Sequence, residues 1–475
     1  MKRREFLEKA KAAGASLLAP AAFRGLPPSA PASLSRPNVL LILTDDQRFD
    51  TVGALGNPVL RTPNMDRLVR SGVAFTRAHI MGAMNGAVCI PSRAMLLTGR
   101  TLFHLEKLGQ SIPVSDVMLP ELLKKAGYRT HGIGKWHNGK ESYARAFGSG
   151  GPVMFGGMSD HTKVPFQDFD PTGEYPDGRQ KTGAKFSSEM FSDAAVAFLE
   201  GYGGTAPFFL YLAYTAPHDP RMAPPEFARL YDPGKIELPG NFLPRHPFDN
   251  GEMEIRDEKL TVVPRDPASI RKEIAGYYAM ITHVDREIGR VLDALEKTGR
   301  AGSTIIVFAG DNGLAVGQHG LLGKQSLYDH SVRVPLIISG PGIPKGRKAG
   351  TFCYLLDVYP TLCRMLGIEA PSTAEGTSLV PALRDSSATV RDELFLAYTK
   401  LQRGLKTSDN WKLIRYMVNG IETVQLFNLN IDPLEIRNLA ARPEEVGRVA
   451  SMTAELKARM KEAGDFCDLD KPHWN

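Results

Sequence analysis

The run Gly86 to Arg100, GAVCIPSRAMLLTGR, sets Cys89 just ahead of Pro91, Ser92 and Arg93 and of the apolar segment Ala94 to Thr98. A proline near the first helical position is preorganised for helix, because its missing N–H would have no partner there. The spacing therefore predicts Cys89 at a helix N-terminus. Free backbone N–H groups and the positive end of the helix dipole favour anions at that point, and Arg93, one turn on, adds a full charge. Two chemistries follow: a reactive thiol of low pKa, or a cysteine that is chemically converted before it works. An inert buried cysteine is the alternative for such a residue alone.

Asp45 and Asp46 end one apolar run, Asn38 to Leu43, while Asp311 and Asn312 end another, Thr304 to Ala309. In an open parallel sheet, ligands collect at the carboxyl ends of the strands, so these four side chains can converge although they are far apart in the chain. All four offer oxygen, which favours a hard cation such as Ca²⁺ or Mg²⁺ over zinc. Asp311-Asn312-Gly313 by itself reads equally well as a turn. Lys135 and His137 stand two apart just past a predicted strand, so one turn can bring both to the same cleft.

Cys89-Ile90-Pro91-Ser92-Arg93 followed by Leu97-Thr98-Gly99-Arg100 resembles the signature of the type I sulfatases, of the alkaline phosphatase-like superfamily, in which that cysteine is oxidised to formylglycine. A second signature of that family runs from Gly127-Tyr128-Arg129-Thr130 to Gly134-Lys135-Trp136-His137. The C-terminal Leu426-Phe427-Asn428-Leu429, and Asp432-Pro433 through Asn438-Leu439-Ala440, extend the resemblance over most of the chain after Ser35. The resemblance implies a metal site of Asp45, Asp46, Cys89, Asp311 and Asn312, holding Ca²⁺ in preference to Mg²⁺. It also implies that Arg93, Lys135, His137, His218 and Lys324 bind sulfate or move protons. Fixed positive groups aimed at the ester's oxygens stabilise the charge that grows there as the S–O bond breaks.

The implied mechanism begins with hydration of the formylglycine to a gem-diol, one hydroxyl of which attacks sulfur in line while bound to the metal. His218 and Lys324 help the alcohol leave, and His137 takes the proton of the second hydroxyl, expelling sulfate and restoring the aldehyde. A thiol or a serine has no second hydroxyl on that carbon, which is the chemical reason for the modification. A formylglycine-generating maturation enzyme is thus an implied partner. His319 and Asp219 lie beside family positions and are candidates to line the pocket; Arg333 and Gln47-Arg48 are candidate specificity contacts. His79, His104, His131, His161, His246, His283 and His330 read as structural or surface residues.

The elements that must position these residues alternate as strand and helix, the pattern of an α/β fold. Strands are expected at Asn38 to Leu43, Tyr128 to Ile133, Pro207 to Ala213, Thr304 to Ala309 and Val334 to Ser339. Helices are expected at Asn64 to Ser71, Leu119 to Ala126, Ser187 to Glu200 and Tyr354 to Leu366, with a long amphipathic one from Ile270 to Leu295. Gly148 to Gly183 and Met222 to Pro267 read as irregular loops of the kind that wall a substrate site. Beyond the polar run Arg384 to Arg391, strands at Leu394 to Tyr398, Trp411 to Met417 and Val424 to Leu429 precede a helix from about Glu444 to Glu462. The expected fold is thus α/β: a large mixed, mostly parallel sheet sandwiched by helices, as in alkaline phosphatase-like proteins, with a smaller C-terminal antiparallel sheet plus helix. The expected divisions are 1–32 as a signal peptide, 33–385 as the catalytic domain and 386–475 as the C-terminal subdomain.

At 475 residues the chain exceeds one small core. Its 43% hydrophobic and 23% charged content is that of an ordinary globular protein. Of the net charge of +6, residues 1–32 account for most, with six basic residues against Glu5 and Glu8, so no nucleic-acid footprint remains. That leader, MKRREFLEKAKAAGASLLAPAAF, is similar to a twin-arginine export signal, which implies the twin-arginine translocase as a partner and a periplasmic or extracellular destination. Its apolar part is short and broken by Pro20, so no stable membrane span is expected. The four cysteines, one of them consumed at position 89, read as buried thiols and not as a disulfide framework. A sulfated carbohydrate is the first expectation for substrate, with choline sulfate or an aryl sulfate also open. The competing functions are a phosphomonoester or phosphonate hydrolase on the same scaffold, and a catalytically silent carbohydrate-binding relative.

Overall fold

Asn38–Thr44 carries no polar alternation because both of its faces are covered. In the computed structural model, which describes residues 36–474, this run is strand β1 near the middle of an eight-stranded sheet. The other strands, in chain order, are β2 Gly72–His79, β3 Gly82–Ala83, β4 Arg129–Lys135, β5 Ser149–Met154, β6 Pro165–Phe166, β7 Lys181–Thr182, β8 Phe208–Ala213, β9 Thr304–Gly310, β10 Leu336–Ser339, β11 Arg347–Tyr354, β12 Glu393–Tyr398, β13 Gln402–Thr407, β14 Trp411–Val418 and β15 Ile421–Asn428. The large sheet has the order β11-β2-β10-β9-β1-β8-β4-β5. Its pairs are parallel except that β10 runs antiparallel to both β2 and β9. The mixed, mostly parallel α/β architecture expected from the sequence is the one observed.

Alternate β1 residues enter two apolar layers, Val39, Leu41 and Leu43 on one face and Leu40 and Ile42 on the other. The second layer lies under the long helix Pro267–Lys297, whose start is capped by Asp266 accepting from Ser269 N–H at 2.8 Å. The helices Pro63–Ser71 and Ser187–Gly201 share that face. Helices Cys89–Thr98, Leu119–Lys125 and Val358–Leu366 join the first layer.

Register decides the position of the site. Thr44 pairs with Gly310 and Leu43 with Ala213, so β1, β8 and β9 end level and Asp45 and Asp311 emerge side by side. Gly134 pairs with Ala213, which brings Lys135 to the same edge. At Gly134 φ is +91° and a Cβ would lie 1.9 Å from Ala213 O, so only glycine lets the strands approach there.

The sequence reading missed five of the strands that build the two larger sheets, the two-residue β3, which is too short to carry a pattern, and four others, each for a local reason. β5 (SGGPVM) is an edge strand with two glycines and a proline, a composition that signals loop. β2 and β11 mix polar and apolar residues, and β11 begins with exposed Arg347 and Lys348. β13 (QRGLKT) looks solvated, yet its residues Gln402 to Lys406 are buried. The short β6 and β7 pair also lies inside the segment expected to be irregular. The helix expected from Tyr354 starts later, because Arg347–Tyr354 is strand and Leu355–Asp357 is a 3₁₀ turn. Met222 to Pro267 does remain irregular apart from short turns at Pro225–Ala228, Pro233–Lys235 and Arg256–Leu260. The expected leader, 1–32, lies outside the described residues.

The second sheet has the order β15-β14-β13-β12-β3, with β3 added in parallel beside β12, and the helix Val446–Glu462 packs on it. β3 lies a few residues before Cys89, which ties this sheet to the segment leading into the site. Arg36–Asn475 forms one compact unit. Cys89, Cys353, Cys363 and Cys467 are all buried and free. Among the described residues no helix is long and apolar enough to cross a membrane.

What buries the charges of β13 and β14 is Asp329. It accepts from Lys406 Nζ at 2.6 and 2.8 Å and from Lys412 Nζ at 2.9 Å, and Glu435 takes Lys412 Nζ at 2.6 Å. Removing one member of a buried ionic group strands the others, at about 3–5 kcal/mol. Asp329→Asn is expected to lower stability by about that amount, seen as an early thermal unfolding transition, while Val446→Ala on the exposed helix start leaves it nearly unchanged. Burial, reinforced by Lys412 and only partly offset by Asp329, pulls Lys406 down to about 8. The folded state then binds fewer protons than the unfolded chain between about pH 8 and 10.4, so stability from this group rises with pH across that window. Relative to Lys406→Met, the wild type should gain stability from pH 8 to 10; a pH-independent difference contradicts this.

Candidate active site

Cys89 is the first residue of a helix whose ten residues are all buried, and the helix stops at Gly99, where φ of +69° is left-handed and the N–H returns to Met95 O at 2.8 Å. Ser92 Oγ donates to the backbone carbonyl of Asp311 at 2.5 Å, pinning the first turn of the helix to the end of β9. Arg93, with its side chain fully buried, donates from Nε to Asp311 Oδ2 at 2.8 Å and from Nη1 to Lys135 O at 2.8 Å. One arginine thereby fixes the ends of β9 and β4 against each other.

Lys135 Nζ donates to Asp45 Oδ2 and to Gly157 O, and lies 3.8 Å from Cys89 Sγ. His137 Nδ1 lies 3.2 Å from the same sulfur. Asn138 locks the intervening turn, donating from Nδ2 to Ile90 O at 2.9 Å and to Gly109 O at 2.6 Å. On the other side, Asp46 Oδ1 accepts from Lys324 Nζ at 2.6 Å and from Asn312 Nδ2 at 2.7 Å, and its Oδ2 lies 3.6 Å from His218 Nε2. The Asp46 N–H donates to Asp311 Oδ1 at 3.0 Å. Both Asp46 and His137 have left-handed φ, 65° and 68°, a conformation that costs about 1–3 kcal/mol for a non-glycine residue and is kept where surroundings over-determine it. The ten residues expected to bind the metal or to act in catalysis thus meet in one cluster, nine of them buried and His137 half-buried.

Burial pushes the Cys89 thiol up, and Lys135 and Lys324 do not reverse the shift. The first of the two chemistries, a low-pKa thiol, is therefore not what this environment produces. Burial, with Lys135 and Arg93 adding to it, holds His137 far below the usual histidine range, so its imidazole is neutral. Burial likewise lowers His218, to about 4 even though Asp46 opposes the shift. Asp311 is raised to about 6 by burial and by the neighbouring Asp45. Asp46 goes the other way, because Lys324 and His218 outweigh its burial; by the same pairing Lys324 rises well above the ordinary lysine value despite its own burial.

Among the described residues nothing hydrogen-bonds to Asp45 Oδ1 or Asn312 Oδ1, although both atoms are buried. Ligand atoms of Asp45, Cys89 and Asp311 all lie within 4.8 Å of one another. Orphaned inward oxygens beside two crowded carboxylates are a donor set for a hard divalent cation, so the residues fit the expected metal.

Other expectations divide. Asp219 does lie at the site, beside His218. His319 instead stacks on Tyr328, with ring centroids 3.9 Å apart, and its Nε2 faces the carbonyls of Leu434 and Glu435 at 3.1 Å, which ties it to the C-terminal part. Arg48 is buried on Asp50 and Ala315 O, and Arg333 donates to Thr76 O and lies over the Phe49 ring, so both have structural partners. The sequence reading missed Gly157, whose carbonyl holds Lys135, and the turn Arg256–Leu260, whose Arg256 grips Asp219. RDEKL carries no pattern that separates it from a solvated charge run.

Residues 37–368 match the family described as Sulfatase, and residues 317–464 match the region described as N-sulphoglucosamine sulphohydrolase, C-terminal. The chain is 27% identical over 501 residues to the N-acetylglucosamine-6-O-sulfatase of Bacteroides thetaiotaomicron, covering 90% of this chain and 87% of that protein. A solved structure of a protein in complex with its substrate D-glucosamine-2-N,6-O-disulfate superposes with a TM-score of 0.77 at 25% identity, over 91% of this chain and 99% of the other. The phosphonate monoester hydrolase of Agrobacterium radiobacter shares the fold, with a TM-score of 0.73 at 21% identity over 90% and 96% of the two chains.

A cation that binds only the folded state raises stability by about 2.7 kcal/mol at one hundred times its Kd. Adding Ca²⁺ to chelator-treated protein should therefore raise the unfolding temperature, and elemental analysis should find one cation per chain in untreated protein. Replacing both Asp45 and Asp311 by alanine is expected to abolish both effects; retention of the cation by that double variant would place the site elsewhere.

Proposed function

This chain belongs to the sulfatase family and is a sulfuric ester hydrolase, and from that premise we propose that it removes sulfate from a sulfated saccharide with a formylglycine made from Cys89 and one Ca²⁺. The observation that carries the reading is the surroundings of Cys89: a buried thiol whose pKa is raised, 3.2 Å from a neutral histidine and beside carboxylates that could hold a cation. As a thiol it is a poor nucleophile there; as a hydrated aldehyde it supplies one hydroxyl to attack sulfur and a second through which sulfate is released. Asp45, Asp46, Asp311, Asn312 and residue 89 would hold the Ca²⁺, which when bound would supply Lewis-acid stabilisation of negative charge.

The remaining work belongs to side chains already in place. Arg93 and Lys135 fix the carboxylates and keep positive charge beside residue 89, where the ester's oxygens gain charge. Lys324, held charged by Asp46, and His218 face the leaving group from the Asp46 side and help the alcohol depart, the proton coming from the Lys324 ammonium. His137, kept neutral, takes the proton of the second hydroxyl of residue 89 as sulfate departs. A saccharide substrate is supported by the relative that is an N-acetylglucosamine-6-O-sulfatase and by the structure holding glucosamine disulfate. We also propose export by the twin-arginine route from the leader sequence, with Cys89 converted before folding buries it.

Sulfate release from glucosamine 6-sulfate and from 4-nitrophenyl sulfate, run beside 4-nitrophenyl phosphate, tests the reaction, with the sulfates expected to be the better substrates. Preference for the phosphate would transfer the chain to phosphoryl chemistry. Mass spectrometry of the peptide containing Cys89 from the native host should show the aldehyde. Cys89→Ser should be sulfated at most once and fail to turn over; normal multiple turnover by that variant would falsify the mechanism.

A further inference from the structure

Among the proposed metal ligands only Asp46 has a left-handed backbone, with φ of 65°. Its peptide groups are turned out of line with β1, and each finds its partner away from the sheet. The Asp46 N–H donates to Asp311 Oδ1 at 3.0 Å, and the Asp46 carbonyl accepts from the Tyr277 hydroxyl at 2.7 Å. Two residues on, the Arg48 N–H donates to that same hydroxyl at 2.9 Å. The hydroxyl uses its one hydrogen for the carbonyl and a lone pair for the N–H, so a single oxygen clamps both ends of the turn.

Tyr277 comes from the long helix Pro267–Lys297 and is fully buried in the apolar layer beneath the sheet. Its ring is flanked by cations: the guanidinium carbon of Arg221 lies 5.2 Å from the ring centroid and that of Arg48 5.9 Å. Arg48 is tied on from there to Asp50 Oδ1 at 2.6 Å and Ala315 O at 3.3 Å. The turn that presents Asp46 is therefore fixed from the helix side, independently of the partners of its carboxylate, which are Lys324 Nζ and Asn312 Nδ2.

We propose that Tyr277 is a positioning residue for the cation site, which clamps the turn from Asp46 to Arg48 and so keeps the Asp46 carboxylate among the other ligands. The inference rests on the reading of Asp45, Asp46, Asp311 and Asn312 as that site. Without the hydroxyl, a buried carbonyl and a buried N–H lose their partner, and the left-handed residue is free to relax to a commoner conformation that turns its carboxylate away. Groups that orient metal ligands from behind are worth about 10–100-fold in affinity. Lys324 and Asn312 still hold the carboxylate when the hydroxyl is gone, which sets the expectation at the lower end.

Ca²⁺ titrated calorimetrically into chelator-treated protein should show a Kd about 10-fold higher for Tyr277→Phe than for the wild type. Phenylalanine keeps the ring and its packing. Tyr354→Phe is the control for a merely structural role: its hydroxyl, buried in the other apolar layer, donates to Phe395 O at 2.8 Å. That variant should lose similar thermal stability in chelator and keep the wild-type Kd. A second measurement needs no variant. Binding and the turn are linked reciprocally, so in the wild type the Arg48 amide should exchange its hydrogen more slowly with Ca²⁺ bound than after chelation. An unchanged Kd in Tyr277→Phe, an equal rise in Tyr354→Phe, or Ca²⁺-independent exchange at Arg48 overturns the inference alone. If the wild type takes up no divalent cation, the reading of the site falls and this inference falls with it.

Discussion

Carboxylates removed from water at the ends of parallel strands need positive charge, and the site is built around that requirement. Asp45, Asp46 and Asp311 are buried within one cluster. Arg93 meets Asp311, Lys135 meets Asp45, and Lys324 meets Asp46. Even so, burial and the neighbouring Asp45 keep Asp311 raised, and the buried Asp45 Oδ1 and Asn312 Oδ1 accept no hydrogen bond. Each carboxylate has a cation of the protein's own, and the oxygens left without a hydrogen bond are the ones the proposed divalent ion would take up. Burial, with the same positive charges adding to it, also keeps His137 unprotonated.

The scaffold transmits this requirement through register. A shift of one residue between β1 and β9 would separate Asp45 from Asp311 and turn the β1 side chains to the wrong apolar layer. The two layers are consequently more than a core, because they hold the strands at the one alignment in which the site exists. The second sheet contributes through a different buried charge cluster, Asp329 with Lys406 and Lys412, and through β3, which runs beside β12 a few residues before Cys89.

The irregular stretch Met222 to Pro267 occupies an intermediate position. Its composition marks it as loop and its structure is loop, yet it delivers Arg256 to Asp219 and Glu258 to the turn before Lys324. Such loops carry function on a rigid frame because their backbone can approach a site from outside the sheet without disturbing its ladder.

The sequence alone determined the central strands β1, β8 and β9 and the long helix, because continuous apolar runs and 3.6-residue periodicity are local properties, and it offered candidate site residues through polar residues at strand ends and through a family resemblance. Cys89, Lys135 and His137 were legible because they sit in short contiguous motifs, and Asp45, Asp46, Asp311 and Asn312 because each pair directly follows a buried strand. Edge strands such as β5 and the charged β13 were not legible, since what makes them strands is a partner distant in the chain and, for β13, a buried Asp329 that makes its lysine internal. Only the tertiary structure decided that Cys89 is a raised, buried thiol and not an activated one, that His319 serves the C-terminal interface, and that Arg256 stands behind His218. Desolvation and through-space pairing set those properties, and neither is a function of neighbours along the chain.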